Sequence, residues 1–262
     1  MQNLIVAPVQ CELAWERPED NRAQFGAIIA ALEGPADLIV LPEMFTTGFS
    51  MNALANAEEP GGDTEQWLRK LARDHACAVT GSIAVRVGDR VFNRMLFATP
   101  DGVSHYDKRH LFRMGGEHKR YAPGNTRKIV NWRGWRINLQ VCYDLRFPVF
   151  SRNRDDYDLL LYVANWPAAR REHWRALLLA RAIENQACVV GVNRIGSDAN
   201  GLDYSGDSLV IAADGRTLWD AQNAESAASI TLDGALLDSY RASFPCQLDA
   251  DGFQLDEGRR PV

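Results

Sequence analysis

The sequence lacks a basic run, a long apolar stretch and any pair of closely spaced cysteines. Each absence removes a class of function. The richest basic stretches, such as Lys119-Arg120 and Arg170-Arg171, are short, and the formal net charge is −5. Nucleic-acid binding requires a basic stripe or patch, so no nucleic-acid partner is expected. The longest apolar runs, such as Leu159-Leu160-Leu161-Tyr162-Val163-Ala164, are far too short to span a bilayer. The segment from Met1 to Gln10 has neither a basic start nor a small-residue cleavage site, so it reads as a strand rather than a signal peptide. A cytoplasmic chain without a membrane partner is therefore expected. The five cysteines (11, 77, 142, 188 and 246) are odd in number and widely spaced, which argues against a disulfide framework and a zinc or redox pair. The five histidines (75, 105, 110, 118 and 173) have no zinc-site spacing with them. Gly201, Gly206 and Gly215 form no phosphate or dinucleotide loop, and no Gly-x-Ser-x-Gly elbow occurs. Neither a metal nor an organic cofactor is expected.

What remains is a chain of 262 residues, 46% apolar, which can bury a large core as one domain over 1–262. Residues 4–10 read as a strand. A helical pattern starts at Pro18 and runs to about Glu33, where Gly34-Pro35 supplies stop chemistry. Residues 37–43 form a buried strand ending in Pro42-Glu43. A second helix is expected over about 65–75, followed by β-type runs at 77–87, 91–99 and 103–108. Residues 109–128 carry no clear period and read as a long functional loop. Strands at 135–141 and 158–164, a helix over about 170–186 and a strand at 187–194 repeat the alternation. Residues 204–212 and 216–220 pair around Asp214-Gly215, and 228–232 is the last expected strand. The pattern predicts an α/β fold with more strand than helix.

The helix at 170–186 has two apolar faces. Trp174, Leu177, Leu178 and Arg181 follow one, and Ala176, Leu179, Ala180, Ile183 and Ala187 follow the other. One face can cover a sheet, and the second needs another layer or another subunit, which motivates a homodimer.

Three apolar strands each deliver a reactive side chain at the C-terminal end: Glu43, Lys108 and Cys142. Open α/β sheets bind ligands outside those strand ends, so the three could meet in one crevice. Taken singly, each has a plainer explanation: a solvated loop acid, a surface lysine in Asp107-Lys108-Arg109-His110, and a core cysteine after Val141. Cys77 and Cys188, inside apolar runs, read as small core residues, while Cys11 and Cys246 are undecided.

Leu41-Pro42-Glu43, Tyr106-Asp107-Lys108-Arg109-His110-Leu111-Phe112 and Val141-Cys142-Tyr143-Asp144-Leu145-Arg146-Phe147-Pro148 resemble the signature segments of the carbon–nitrogen hydrolase, or nitrilase, superfamily, in that family's order and at similar spacing. The likeness extends through Tyr162-Val163-Ala164-Asn165-Trp166-Pro167, the stretch from Ala180 to Gln186 and Gly206-Asp207-Ser208, and it is nearest to the bacterial omega-amidase branch. The resemblance implies a four-layer α-β-β-α sandwich and dimers packed helix against helix. It also implies hydrolysis of the terminal amide of small dicarboxylate monoamides, such as 2-oxoglutaramate, with a nitrilase acting on small nitriles as the alternative. An inactive binding subunit with the same fold is a third reading, which the intact Glu43, Lys108 and Cys142 argue against.

Within that resemblance Cys142 is the nucleophile, Glu43 its base and Lys108 the charge that stabilises the oxyanion, together with the backbone N–H of Tyr143. Glu117 matches the family's second glutamate and positions Lys108 and substrate; a solvated loop acid is its alternative. Arg146 is a candidate carboxylate clamp because a guanidinium fork binds carboxylates bidentately, with a structural ion pair as the alternative. Asn165 and Trp166 are candidate pocket residues, and core packing is the alternative for the tryptophan.

Overall fold

A computed structural model describes residues 1–255. The expected domain's residues 256–262 lie outside the described residues. Two stacked sheets form the centre of the molecule. The first runs in spatial order Ser226–Ala227, Leu4–Gln10, Leu38–Val40, Ala78–Val87, Arg90–Ala98 and Val103–Asp107, and Ile230–Leu232 also pairs with Leu4–Gln10. The second runs Thr217–Asp220, Leu209–Ile211, Cys188–Val192, Leu159–Val163, Trp135–Val141 and Lys128–Trp132. Three parallel strands form the middle of each sheet, and antiparallel strands flank them. Parallel strands buried on both faces read as continuous apolar runs, as Leu38–Val40 and Leu159–Val163 do.

The alternation along each strand builds the layers. Val6, Leu38, Val40 and Met95 face a shared core with Ile137, Leu139 and Leu159 of the second sheet. Ala7, Val9, Ile39 and Val79 point the other way, onto Phe25 and Ile29 of the Pro18–Ala30 helix and Leu68 and Ala72 of the Asp63–Asp74 helix. The second sheet's outer face is covered by Trp174, Leu178 and Ala182 of the Arg171–Asn185 helix and by Leu237 of the Gly234–Ser243 helix. The fold is the expected four-layer α-β-β-α sandwich. Among the described residues no helix is long and apolar enough to cross a membrane.

Three elements differ from expectation. Lys128–Trp132, at the end of the unpatterned loop, is an edge strand joined to Trp135–Val141 by Arg133-Gly134, whose φ angles are 46° and 78°. Two positive φ values fit a tight hairpin turn, but Arg-Gly is not one of its strong sequence signals. Residues 204–212 are not one strand. Asp203–Ser205 pairs with Ile195–Ser197, while Leu209–Ile211 joins the second sheet, because Gly206 and Asp207 both take positive φ and break the chain. The Gly234–Ser243 helix was not anticipated; the Asp233 side chain caps it by accepting the Leu236 N–H at 2.9 Å.

Candidate active site

The Trp135–Val141 strand ends in a sharp corner. Cys142 has φ 44°, a left-handed conformation that costs a non-glycine residue about 1–3 kcal/mol, and a short helical turn Cys142–Arg146 follows. Asp144 holds the corner. Its fully buried carboxylate accepts the Val141 N–H at 2.9 Å and the Tyr106 hydroxyl at 2.8 Å on one oxygen. The other oxygen accepts the His110 N–H at 3.0 Å and lies 2.7 Å from His110 Nδ1. Tyr106 and His110 flank Lys108 on either side, so one carboxylate ties the cysteine's corner to the lysine's segment. The His110 ring stacks on Phe147 at 3.9 Å and completes the joint.

Around the thiol stands a buried charge cluster. Lys108 Nζ donates to Glu43 Oε1 at 2.9 Å and to both oxygens of Glu117 at 3.1 and 3.0 Å. Asn93 Nδ2 donates to Glu43 at 2.7 Å and to Glu117 at 3.2 Å. The Asn165 backbone N–H donates to Glu43 Oε2 at 2.7 Å, and the Phe112 N–H to Glu117 Oε2 at 2.5 Å. Two carboxylates thus share one ammonium inside the protein. Burial alone would push the Lys108 ammonium down, but facing Glu117 and Glu43 it is held above its ordinary value and stays charged. Burial, reinforced by Glu43, pushes the Glu117 carboxyl up against the pull of Lys108. Burial and the Glu43 charge push the Cys142 thiol well up, with Lys108 opposing. The thiol is therefore protonated at rest and needs a base before it can attack. Its Sγ lies 3.9 Å from the Asn165 carbonyl.

Glu43, Lys108 and Cys142 open into one cavity of about 220 Å³, also lined by Phe49, Phe112 and Tyr143. Arg146, Asn165, Trp166 and Arg170 complete that wall with the Asp198–Tyr204 hairpin. Arg146 makes no ion pair with a carboxylate among the described residues; it lies 4.7 Å over the Trp166 ring, with Nη2 3.1 Å from His173 Nδ1. Trp166 is both pocket and core, since it also packs 5.5 Å from Trp174. Asn165 lines the cavity and fastens Glu43, its Nδ2 donating to the Glu43 carbonyl at 2.5 Å.

The sequence matches the carbon–nitrogen hydrolase family over residues 5–242. The chain belongs to that family. It is 49% identical to the omega-amidase YafV of Yersinia enterocolitica over 259 residues, which cover 97% of this chain and all of that protein. It is 33% identical to a 2-oxoglutaramate amidase of Bacillus subtilis, covering 92% of this chain and 95% of that one. The crystal structure of XC1258 from Xanthomonas campestris, a carbon–nitrogen hydrolase superfamily protein with an arsenic adduct in its active site, superposes with a TM-score of 0.96 at 49% identity, covering 98% of this chain and all of that one.

All eight residues singled out from the sequence of this carbon–nitrogen hydrolase lie at or beside the cavity, Glu117 reaching it through Lys108. Sequence reading passed over Asn93, Asp144, Arg170 and the Asp198–Tyr204 hairpin. Asn93 sits between Phe92 and Arg94, where a polar residue looks like a solvent-facing strand position; only the fold buries it. Asp144 lay inside a quoted motif, but its partners are brought in by a different segment.

Proposed function

We infer that this protein is a cysteine-dependent omega-amidase that hydrolyses the terminal amide of small dicarboxylate monoamides, such as 2-oxoglutaramate, to the acid and ammonia. The near-full-length likeness to an omega-amidase carries the reading. The grouping of a protonated, buried thiol with the Glu43–Lys108 pair supports the chemistry.

In this mechanism Glu43 takes the thiol proton as Cys142 Sγ attacks the amide carbonyl carbon. The oxyanion that forms meets the fixed charge of Lys108 and the backbone N–H of Tyr143. Glu43 returns the proton to the nitrogen, the C–N bond breaks and ammonia leaves. A thioester remains on Cys142. Glu43 next takes a proton from water, which attacks the thioester; the C–S bond breaks, the acid departs and the thiol is reprotonated. Glu117 holds Lys108 from the far side, so the ammonium stays charged and aimed. Arg146 receives the substrate's distal carboxylate.

We also infer a homodimer. Leu179 and Ile183 remain 39% and 48% exposed on the outer face of the Arg171–Asn185 helix, an apolar face that a second copy would cover. Light scattering that showed only monomer at micromolar concentration would remove that inference. All five cysteines are free, which suits a reducing cytoplasm. Ammonia release from succinamate, 2-oxoglutaramate, butyramide and a matched nitrile tests the main reading. The two carboxylate amides are expected to be the fastest, and a nitrile rate above theirs would overturn it.

A further inference from the structure

We propose that Arg170 is a second guanidinium of the substrate site, and that with Arg146 it selects ω-amides bearing an α-oxo acid end over those bearing an α-ammonium. This inference rests on the omega-amidase reading above and assigns the specificity within it.

The observation is a pair of cations that line the cavity and have no carboxylate within ion-pair distance. Arg170 and Arg146 both line the cavity, and neither guanidinium lies within ion-pair distance of a carboxylate among the described residues. The contrast with the next residue is direct, since Arg171 is bound bidentately to Asp207 at 2.7 Å on both arms. No acid lining the cavity is available to Arg170. Asp198 spends its oxygens on the Asn200 and Leu202 N–H groups at 2.8 and 3.0 Å and on the Tyr204 hydroxyl at 2.9 Å. Glu43 is bound to Lys108, Asn93 and the Asn165 N–H.

Each arginine is held on an aromatic platform and leaves hydrogen-bonding edges free. Arg170 lies 5.4 Å over Phe112 and Arg146 lies 4.7 Å over Trp166, while the Trp166 Nε1–H donates to the Arg170 carbonyl at 2.8 Å. The cavity is therefore graded. Cys142, Glu43 and Lys108 are buried, and the two arginines are half-buried toward solvent. A ligand that fits this gradient carries an amide at one end and an anion at the other.

One guanidinium fork satisfies one carboxylate. The second fork has donors left for an oxygen on the adjacent carbon, which an α-oxo acid supplies. An α-ammonium in the same place offers no acceptor and meets two like charges, which costs affinity.

The test compares wild type, Arg170→Gln, Arg170→Lys and Arg146→Gln on four amides: 2-oxoglutaramate, succinamate, glutamine and butyramide. For Arg170→Gln, kcat/KM on 2-oxoglutaramate should fall about 10- to 100-fold, mostly in KM. Its loss on butyramide should be smaller than its loss on 2-oxoglutaramate, and its preference for 2-oxoglutaramate over glutamine should narrow at least about tenfold. Arg170→Lys, which keeps the charge without the fork, should recover rejection of glutamine but only part of the 2-oxoglutaramate rate. An unchanged 2-oxoglutaramate-to-glutamine ratio in Arg170→Gln, with the loss confined to Arg146→Gln, would overturn the role of Arg170 and leave the omega-amidase reading standing. A wild-type enzyme that favours butyramide over both carboxylate amides would overturn that reading itself.

Discussion

Asp158 and Glu117 are both buried acids bound by cationic side chains, yet their carboxyl groups are driven in opposite directions. Asp158 accepts two bonds from the Arg136 guanidinium at 2.9 and 2.7 Å, the Arg136 N–H at 3.0 Å and Arg241 Nη1 at 2.7 Å. Burial would push its carboxyl up, but the Arg136 and Arg241 contacts outweigh that and hold it below the ordinary range. Glu117 shares a single ammonium with Glu43, so burial wins and its carboxyl is pushed up. In the first cluster Asp158 faces two cations, Arg136 also lying 3.7 Å from the exposed Asp155, and the cluster ties the Trp135–Val141 strand to the Gly234–Ser243 helix. The second has two acids for one cation and faces a cavity. An acid facing two cations is held ionised as a clamp; two acids sharing one cation leave one carboxyl pushed up beside the reacting groups.

Substitutions should separate the two clusters cleanly. Cys142→Ala should remove amide hydrolysis, by a factor on the order of 10⁶ in kcat, with no loss of melting temperature, as steady-state rates and thermal unfolding would check. Lys108→Met takes the only cation from the acid-rich cluster. The rate of thioester formation, read by single-turnover quench, should drop on the order of 10²- to 10³-fold.

Asp144→Asn keeps the shape of the joint but turns one acceptor into a donor facing the His110 N–H. Because it shifts the cysteine's corner relative to Lys108 without touching substrate, kcat should fall about 100-fold while KM stays nearly constant. Equal changes in both constants would argue against a positioning role.

The clamp should respond in the other currency. Asp158→Asn should cost about 3 kcal/mol of stability in denaturant melts and leave kcat within about twofold at temperatures where the variant is folded. Its pH dependence follows from the sign of the shift. The folded-state carboxyl titrates below its unfolded value, so the stability it contributes is present at neutral pH and is lost as pH falls below about 4. The melting temperature of wild type should therefore fall more steeply below that pH than that of Asp158→Asn.

The same contrast explains what the sequence disclosed. Glu43, Lys108 and Cys142 stand at strand ends inside recognisable segments, so both their chemistry and their places could be read along the chain. The α/β alternation was legible in apolar runs that match parallel strands covered on both faces, whereas the four layers followed from the family resemblance. Asp144, Asn93, Arg136 and Arg241 were not, because a paired charge looks like a solvated one until the fold brings its partner from another segment. The Lys128–Trp132 strand and the split at Gly206-Asp207 escaped for local reasons: Arg133 adopts a positive φ that its residue type does not announce, and Gly206-Asp207 permit positive φ without requiring a break.

The central claim is that the Cys142 thiol carries the acyl group between the two halves of the reaction. Acid-quenching the enzyme during turnover of succinamate, followed by intact-mass and peptide analysis, tests it directly. The account predicts a succinyl thioester on the peptide containing Cys142, lost on neutral hydroxylamine treatment and absent from Cys142→Ala. Full turnover with no acylated Cys142, or the acyl group on Cys246, the half-buried thiol, would contradict it.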